Sequence, residues 1–234
     1  MTEAARDAIL GRLRRSLGSQ GSGGGEARRT AIARLADPQP VLIPARGDLD
    51  LEGRVRLFTA EAERVQTTVR RLAAHADVPG AVVDYLRTHN LPMRLVMAGD
   101  PLLGRADWAR TLLEVRHGGA ADDDPTGLTT AFAGIAETGT LMLLSSAETP
   151  TLLAFLPENA IVVLPTERLL RAYEDGFRAL RERFGTLPRS INFVTGPSRS
   201  GDIEQTLQLG AHGPRRLLAL LVDEPVDAMQ RAAR

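Results

Sequence analysis

The chain has 234 residues, enough for one good-sized hydrophobic core, and its 43% hydrophobic and 25% charged content is that of an ordinary globular protein. Basic and acidic residues balance at 29 each, so no whole-chain field gathers nucleic acid or an anionic membrane surface. Every basic residue is arginine and cysteine is absent, which excludes Schiff-base lysine chemistry, a Walker-type phosphate lysine, disulfides, thiolate nucleophiles and cysteine-held zinc or iron–sulfur clusters.

Taken in order, residues 4–17 place Ile9, Leu10, Leu13 and Leu17 near one face of a helix, ringed by Arg6, Arg12, Arg14 and Arg15. Such a helix packs on a neighbour or on another copy of the chain, and a basic amphipathic face also suits a membrane surface or an acidic partner. Gly18 to Gly25 has the composition of a flexible linker. The expected organisation is therefore an N-terminal helix with its linker over residues 1–30 and an α/β domain over residues 31–234. The N-terminus lacks the apolar core of a signal peptide, and no apolar run approaches the ~18 residues of a membrane span. A cytoplasmic protein is expected.

Apolar residues at Val55, Phe58, Ala62, Val65, Val69 and Leu72 predict a long helix over 51–76, broken at Val78-Pro79-Gly80 and followed by a second helix from Ala81. Arg94–Ala98 and Leu112–Arg116 read as short strands, and Leu141–Leu144 and Ala160–Leu164 as strands covered on both faces. Pro165-Thr166-Glu167 opens a predicted helix through Phe184, ended by Gly185. Ile191–Val194 is a strand, residues 202–209 a helix, and Leu217–Val222 a last buried strand. Strands alternating with helices predict an α/β protein with a mainly parallel sheet flanked by helices.

Two glycine-punctuated stretches carry the candidate chemistry. In Glu137-Thr138-Gly139-Thr140 a lone carboxylate stands beside two hydroxyls, and Gly139 permits close approach of the backbone. A carboxylate so placed serves as general base or nucleophile when its surroundings tune it; a β-turn capping its own backbone explains the same residues. In Gly196-Pro197-Ser198-Arg199-Ser200-Gly201-Asp202 a strand hands over to a predicted helix. Free N–H groups at a helix start favour an anion, and Arg199 adds a bidentate clamp. Asp202 with Gln205 fits a capping box equally well. His212, in Gly210-Ala211-His212-Gly213-Pro214, titrates near neutrality and is either an acid–base group or a loop residue. No histidine has zinc-ligand spacing, and Asp122–Asp124 reads as a solvated loop, so no metal is expected.

The stretches Ala136–Leu141, Leu156-Pro157-Glu158 before Ala160–Val163, Asn192–Glu204 and Leu209–Pro214 resemble the lactate utilization protein C family, whose shared unit is the LUD domain. The resemblance implies a fold like that of ribose-5-phosphate isomerase, glucosamine-6-phosphate deaminase and CoA transferases. It implies a cytosolic role in oxidising L-lactate to pyruvate beside iron–sulfur partner proteins, with this cysteine-free chain as an accessory subunit holding no cofactor of its own. Under that reading Glu137 is the catalytic carboxylate, and Thr138, Gly139, Thr140, Gly196, Ser198, Arg199, Asp202 and His212 contact a small anion or a partner. The alternative is a free-standing enzyme of the CoA-transferase or sugar-phosphate type that uses Glu137.

Overall fold

In the computed structural model of the chain, the residues described are 3–16, 23–36, 42–185, 187–200, 208–210 and 212–226. The chain forms two compact units, Met1–Leu42 and Ile43–Arg234. The first contains helices α1 (Glu3–Ser16) and α2 (Gly23–Ala36). Ile9 and Leu13 of α1 and Ile32 of α2 are exposed. Gly23–Gly25, expected in the linker, are instead the first residues of α2; residues 18–22 lie outside the described residues.

The second unit is built on a six-stranded parallel sheet in the order β1 (Thr68–Leu72), β12 (Arg216–Val222), β7 (Asn159–Pro165), β4 (Thr126–Thr130), β2 (Arg94–Met97), β3 (Glu114–His117). A smaller sheet has the order β8 (Leu169–Leu170), β5 (Ala133–Ile135), β6 (Thr140–Leu144), β9 (Ile191–Val194). Its β5–β6 and β6–β9 pairs are antiparallel. A two-residue ribbon pairs β10 (Arg199–Ser200) with β11 (Gln208–Leu209).

The period of two in the central strands sorts their side chains into two cores. Ile161, Val163, Leu218, Leu220 and Val222 pack with Val78, Val82, Tyr85 and Leu86 of helix α4 (Val78–Thr88) on one face. Val162, Leu164, Ala219 and Leu221 pack on the other face with Val55, Phe58 and Ala62 of helix α3 (Leu51–Arg64), joined by Leu141, Leu143 and Val194 of the smaller sheet. The far side of that sheet, through Met142 and Ala133, meets Leu180 of helix α5 (Tyr173–Phe184). The layers therefore run α4, parallel sheet, α3 with the small sheet, and α5. The α/β class and the mainly parallel sheet are as the sequence predicts.

Two predicted helices are shorter than their apolar patterns. The helix expected over 51–76 ends at Arg64, and Thr68–Leu72 is strand β1. The chain turns at Gln66 with φ 69°, where Thr67 N donates to Ala62 O at 2.9 Å and Gln66 N to Glu63 O at 2.9 Å. This is a Schellman ending with glutamine in the position glycine usually takes, so the stop carries no glycine signal. The helix expected from Pro165 starts only at Tyr173, because Leu169 and Leu170 are drawn into the small sheet beside Gly134 and Ile135. The predicted helix over 202–209 falls mostly outside the described residues, and its last two positions are strand β11. Among the described residues no helix is long and apolar enough to cross a membrane.

Candidate functional site

Both glycine stretches press on the same structure, the C-terminal end of α3. A Cβ on Gly139 (φ 64°) would lie 2.3 Å from Ala62 N, and one on Gly196 (φ 83°) would lie 2.6 Å from Val65 O. The Arg199 guanidinium donates to Val65 O at 3.0 Å. The last carbonyls of a helix have no partner within it and carry the negative end of its dipole. Arg199 thus serves one of them, and the close approach that glycine permits is made by helix backbone.

The Glu137 turn joins β5 to β6. Its backbone N–H donates to Arg171 O at 3.2 Å, tying the turn to the segment entering α5. Thr140, wholly buried at the start of β6, is the hub of a hydroxyl cluster. Its Oγ1 lies 2.8 Å from Thr138 Oγ1, 3.0 Å from Tyr173 Oη and 2.7 Å from Thr195 Oγ1. Thr138 Oγ1 donates to Tyr173 Oη at 3.2 Å. A hydroxyl donates once and accepts twice, so Thr140 is saturated by these contacts. The cluster pins the β5–β6 turn, the first residue of α5 and the end of β9 to one another.

Glu137 itself is 7% exposed. Among the described residues its carboxylate takes no hydrogen bond or ion pair, yet its oxygens are not sealed from solvent. Burying a charge with no partner is costly. The sequence stretch thus yields a carboxylate flanked by a hydroxyl array, with Tyr173 and Thr195 added. Thr195 lies inside the second glycine stretch without having been assigned a role there. Tyr173 is separated from Thr138 by 35 residues and carries no local signal.

Others of the predicted residues are tied to one another. Ser198 N donates to Pro214 O at 2.8 Å and Ser198 O accepts from Gly210 N at 3.1 Å. His212 is exposed, and its backbone N–H lies 3.4 Å from Ser198 Oγ. These contacts bind the 198 and 210–214 segments to each other. Asp202 lies outside the described residues. Among the described residues no three histidine or carboxylate side chains assemble into a metal set.

Residues 119–222 match the model of the LUD domain, a span that includes Glu137, the hydroxyl cluster and His212. This segment is similar to LUD domains. Lactate utilization protein C of Anoxybacillus flavithermus is 28% identical over 167 residues, covering 71% of this chain and 73% of that protein. Lactate utilization protein C of Shouchella clausii is 36% identical over 100 residues, covering 42% of this chain and 44% of that protein. The alignment spans under half the length of several such relatives. The crystal structure of a DUF162 family protein from Deinococcus radiodurans superposes with a TM-score of 0.58 at 23% identity, covering 74% of this chain and 99% of that one. That likeness shows the fold.

Proposed function

We propose that this chain serves lactate utilization as a subunit without a redox centre of its own, working beside iron–sulfur proteins that carry the electrons. The supporting observation is that the chain is similar to proteins named lactate utilization protein C, and that its LUD-domain match over residues 119–222 contains the buried, unpartnered Glu137. With no cysteine among its 234 residues, the chain offers no thiolate to a cluster, which fits a companion role. Glu137 engages a small ligand or a partner donor at the open edge of its turn, and the Thr138–Thr140–Tyr173–Thr195 cluster fixes the turn's geometry. A carboxylate aimed outward pairs with a cationic or hydroxyl donor, and an anion approaching the same turn would be met through Thr138.

The test is lactate-dependent dye reduction by the iron–sulfur partner proteins with and without this chain, then with Glu137→Gln. The expected result is a requirement for the wild-type chain and a loss of at least tenfold with the variant, the size of a charge-assisted contact. Undiminished reduction without the chain would remove the subunit reading. The unpartnered carboxylate also favours a second reading, a CoA-transferase-like enzyme with Glu137 as nucleophile. Mass spectrometry after incubation with an acyl-CoA would then find an adduct on Glu137, and its absence would set that reading aside.

A further inference from the structure

The parallel sheet has a switch point that neither glycine stretch touches. From β2 the chain passes outward to β3, whereas from β4 it passes the other way to β7. In open α/β sheets the crevice beyond the carboxyl ends of two such strands is the usual ligand site. Here that crevice is a cleft of about 380 Å³, within the range of small-molecule pockets. It is reached by Asp100 just after β2, Thr130 at the end of β4 and Arg168 just after β7, with Arg183 and Phe184 arriving from the end of α5.

Each wall has a defined chemistry. Asp100 is 6% exposed, accepts from Leu102 N at 2.8 Å and takes the Thr130 hydroxyl on its other oxygen. It is a fixed acceptor at the base of the cleft. The Arg183 guanidinium carbon sits 6.0 Å from the Phe132 ring centre and 5.1 Å from that of Phe184. Both rings line the cleft, so its arginine is presented on an aromatic bed. Burial there holds the guanidinium below the ordinary arginine range. The Arg168 guanidinium donates to Ala131 O at 3.4 Å, which ties it to the cleft wall. Across the mouth, Glu148 is braced by the Ser146 hydroxyl at 2.8 Å.

We infer that this cleft binds a monocarboxylate with an aromatic or branched apolar body, its carboxylate on Arg183 and Arg168 and its body between Phe132 and Phe184. The planar guanidinium matches a carboxylate fork. The lining charges cancel, two arginines against Asp100 and Glu148, so a polyphosphate meets two carboxylates for its two cations and is disfavoured. The apolar walls and the volume exceed what a three-carbon acid fills. A hydroxyl group on the ligand would find an acceptor in the Asp100–Thr130 pair. This site is separate from the Glu137 turn and does not rest on the lactate reading.

The experiment is a titration of the full chain, followed by ligand-observed NMR and calorimetry, with 3-phenylpropionate, L-lactate and pyrophosphate as probes. Saturable binding of 3-phenylpropionate, tighter than that of the other two, is expected. Arg183→Gln should weaken it by about tenfold or more, whereas Glu148→Gln, which removes a like charge from the exposed mouth, should tighten it by about twofold. Glu137→Gln should leave it unchanged. Phe184→Ala, at a partly exposed position, gives a second reading of the wall and should also weaken binding. Absence of saturable binding, tighter binding of pyrophosphate, or an affinity indifferent to both Arg183→Gln and Phe184→Ala would overturn the assignment.

Discussion

Gly139 sits where the β5–β6 turn meets the end of α3. Its φ of 64° and the 2.3 Å gap from an added Cβ to Ala62 N leave no room for a side chain, and the obstruction is helix backbone that has nowhere to move. Gly139→Ala should therefore cost about 2–4 kcal/mol, the sum of backbone strain and overpacking. Gly80, on the exposed side of α4 with nothing within 4 Å of an added Cβ, should respond oppositely. Gly80→Ala is expected to gain about 0.5–1 kcal/mol. Urea denaturation midpoints of the two variants check both signs. The carboxylate and hydroxyls of the Glu137 turn were legible because they are adjacent in sequence. That the turn's glycine meets α3, and that Tyr173 closes the hydroxyl cluster, depends on segments far along the chain, which no local pattern encodes.

At the scale of the element, the informative case is the end of α3. The apolar spacing from Val55 to Leu72 is continuous with a helix, yet the backbone reverses at Gln66 and the second half becomes strand β1. Thr67, Thr68 and Val69 are β-branched and suit a strand, but the parallel partner that claims them, β12, lies some 150 positions away in register with Thr68–Leu72. The buried strands β7 and β12 were legible from their unbroken apolar runs; in the small sheet β6 and β9 were legible as strands, but β5 and β8, only three and two residues long, were not. The same geometry gives a prediction. A glutamine at φ 69° bears a cost that glycine avoids, so Gln66→Gly should stabilise the protein by about 0.5–1 kcal/mol despite the greater freedom of glycine in the unfolded chain. Thermal melts with matched circular dichroism at low temperature would show a raised midpoint without loss of helix. A lowered midpoint would mean that the glutamine side chain contributes more than its backbone strain costs.

Across the whole second unit, the carboxyl edge of the parallel sheet collects charge, and this edge sets how folding responds to pH. His75, just beyond β1, is 2% exposed, and its Nε2 is sealed without a hydrogen-bond partner. Burial, with Arg105 and Arg168 adding repulsion, holds its imidazole below the ordinary 6.5, while Glu224 opposes the shift. The folded state therefore keeps His75 neutral where the unfolded chain has begun to take up a proton. The unfolded state binds more protons in that window, so stability is complete above the unfolded pKa and falls as pH drops below about 6.5, by at most about 1.4 kcal/mol per pH unit. Below the folded value the His75 slope ends. Glu52, Glu61 and Glu148 act in a different window, since hydrogen bonds from Arg71, Arg64 and Ser146 hold them below 4.5 and their contribution is lost only in stronger acid. The two windows can be separated by urea denaturation between about pH 7.5 and 2.5. The wild-type protein should weaken through the histidine range, and His75→Phe, which fills the same buried place without titrating, should flatten that decline while leaving the acid limb intact. An unchanged slope in the variant would assign the decline to another group and detach His75 from the stability of the sheet's carboxyl edge.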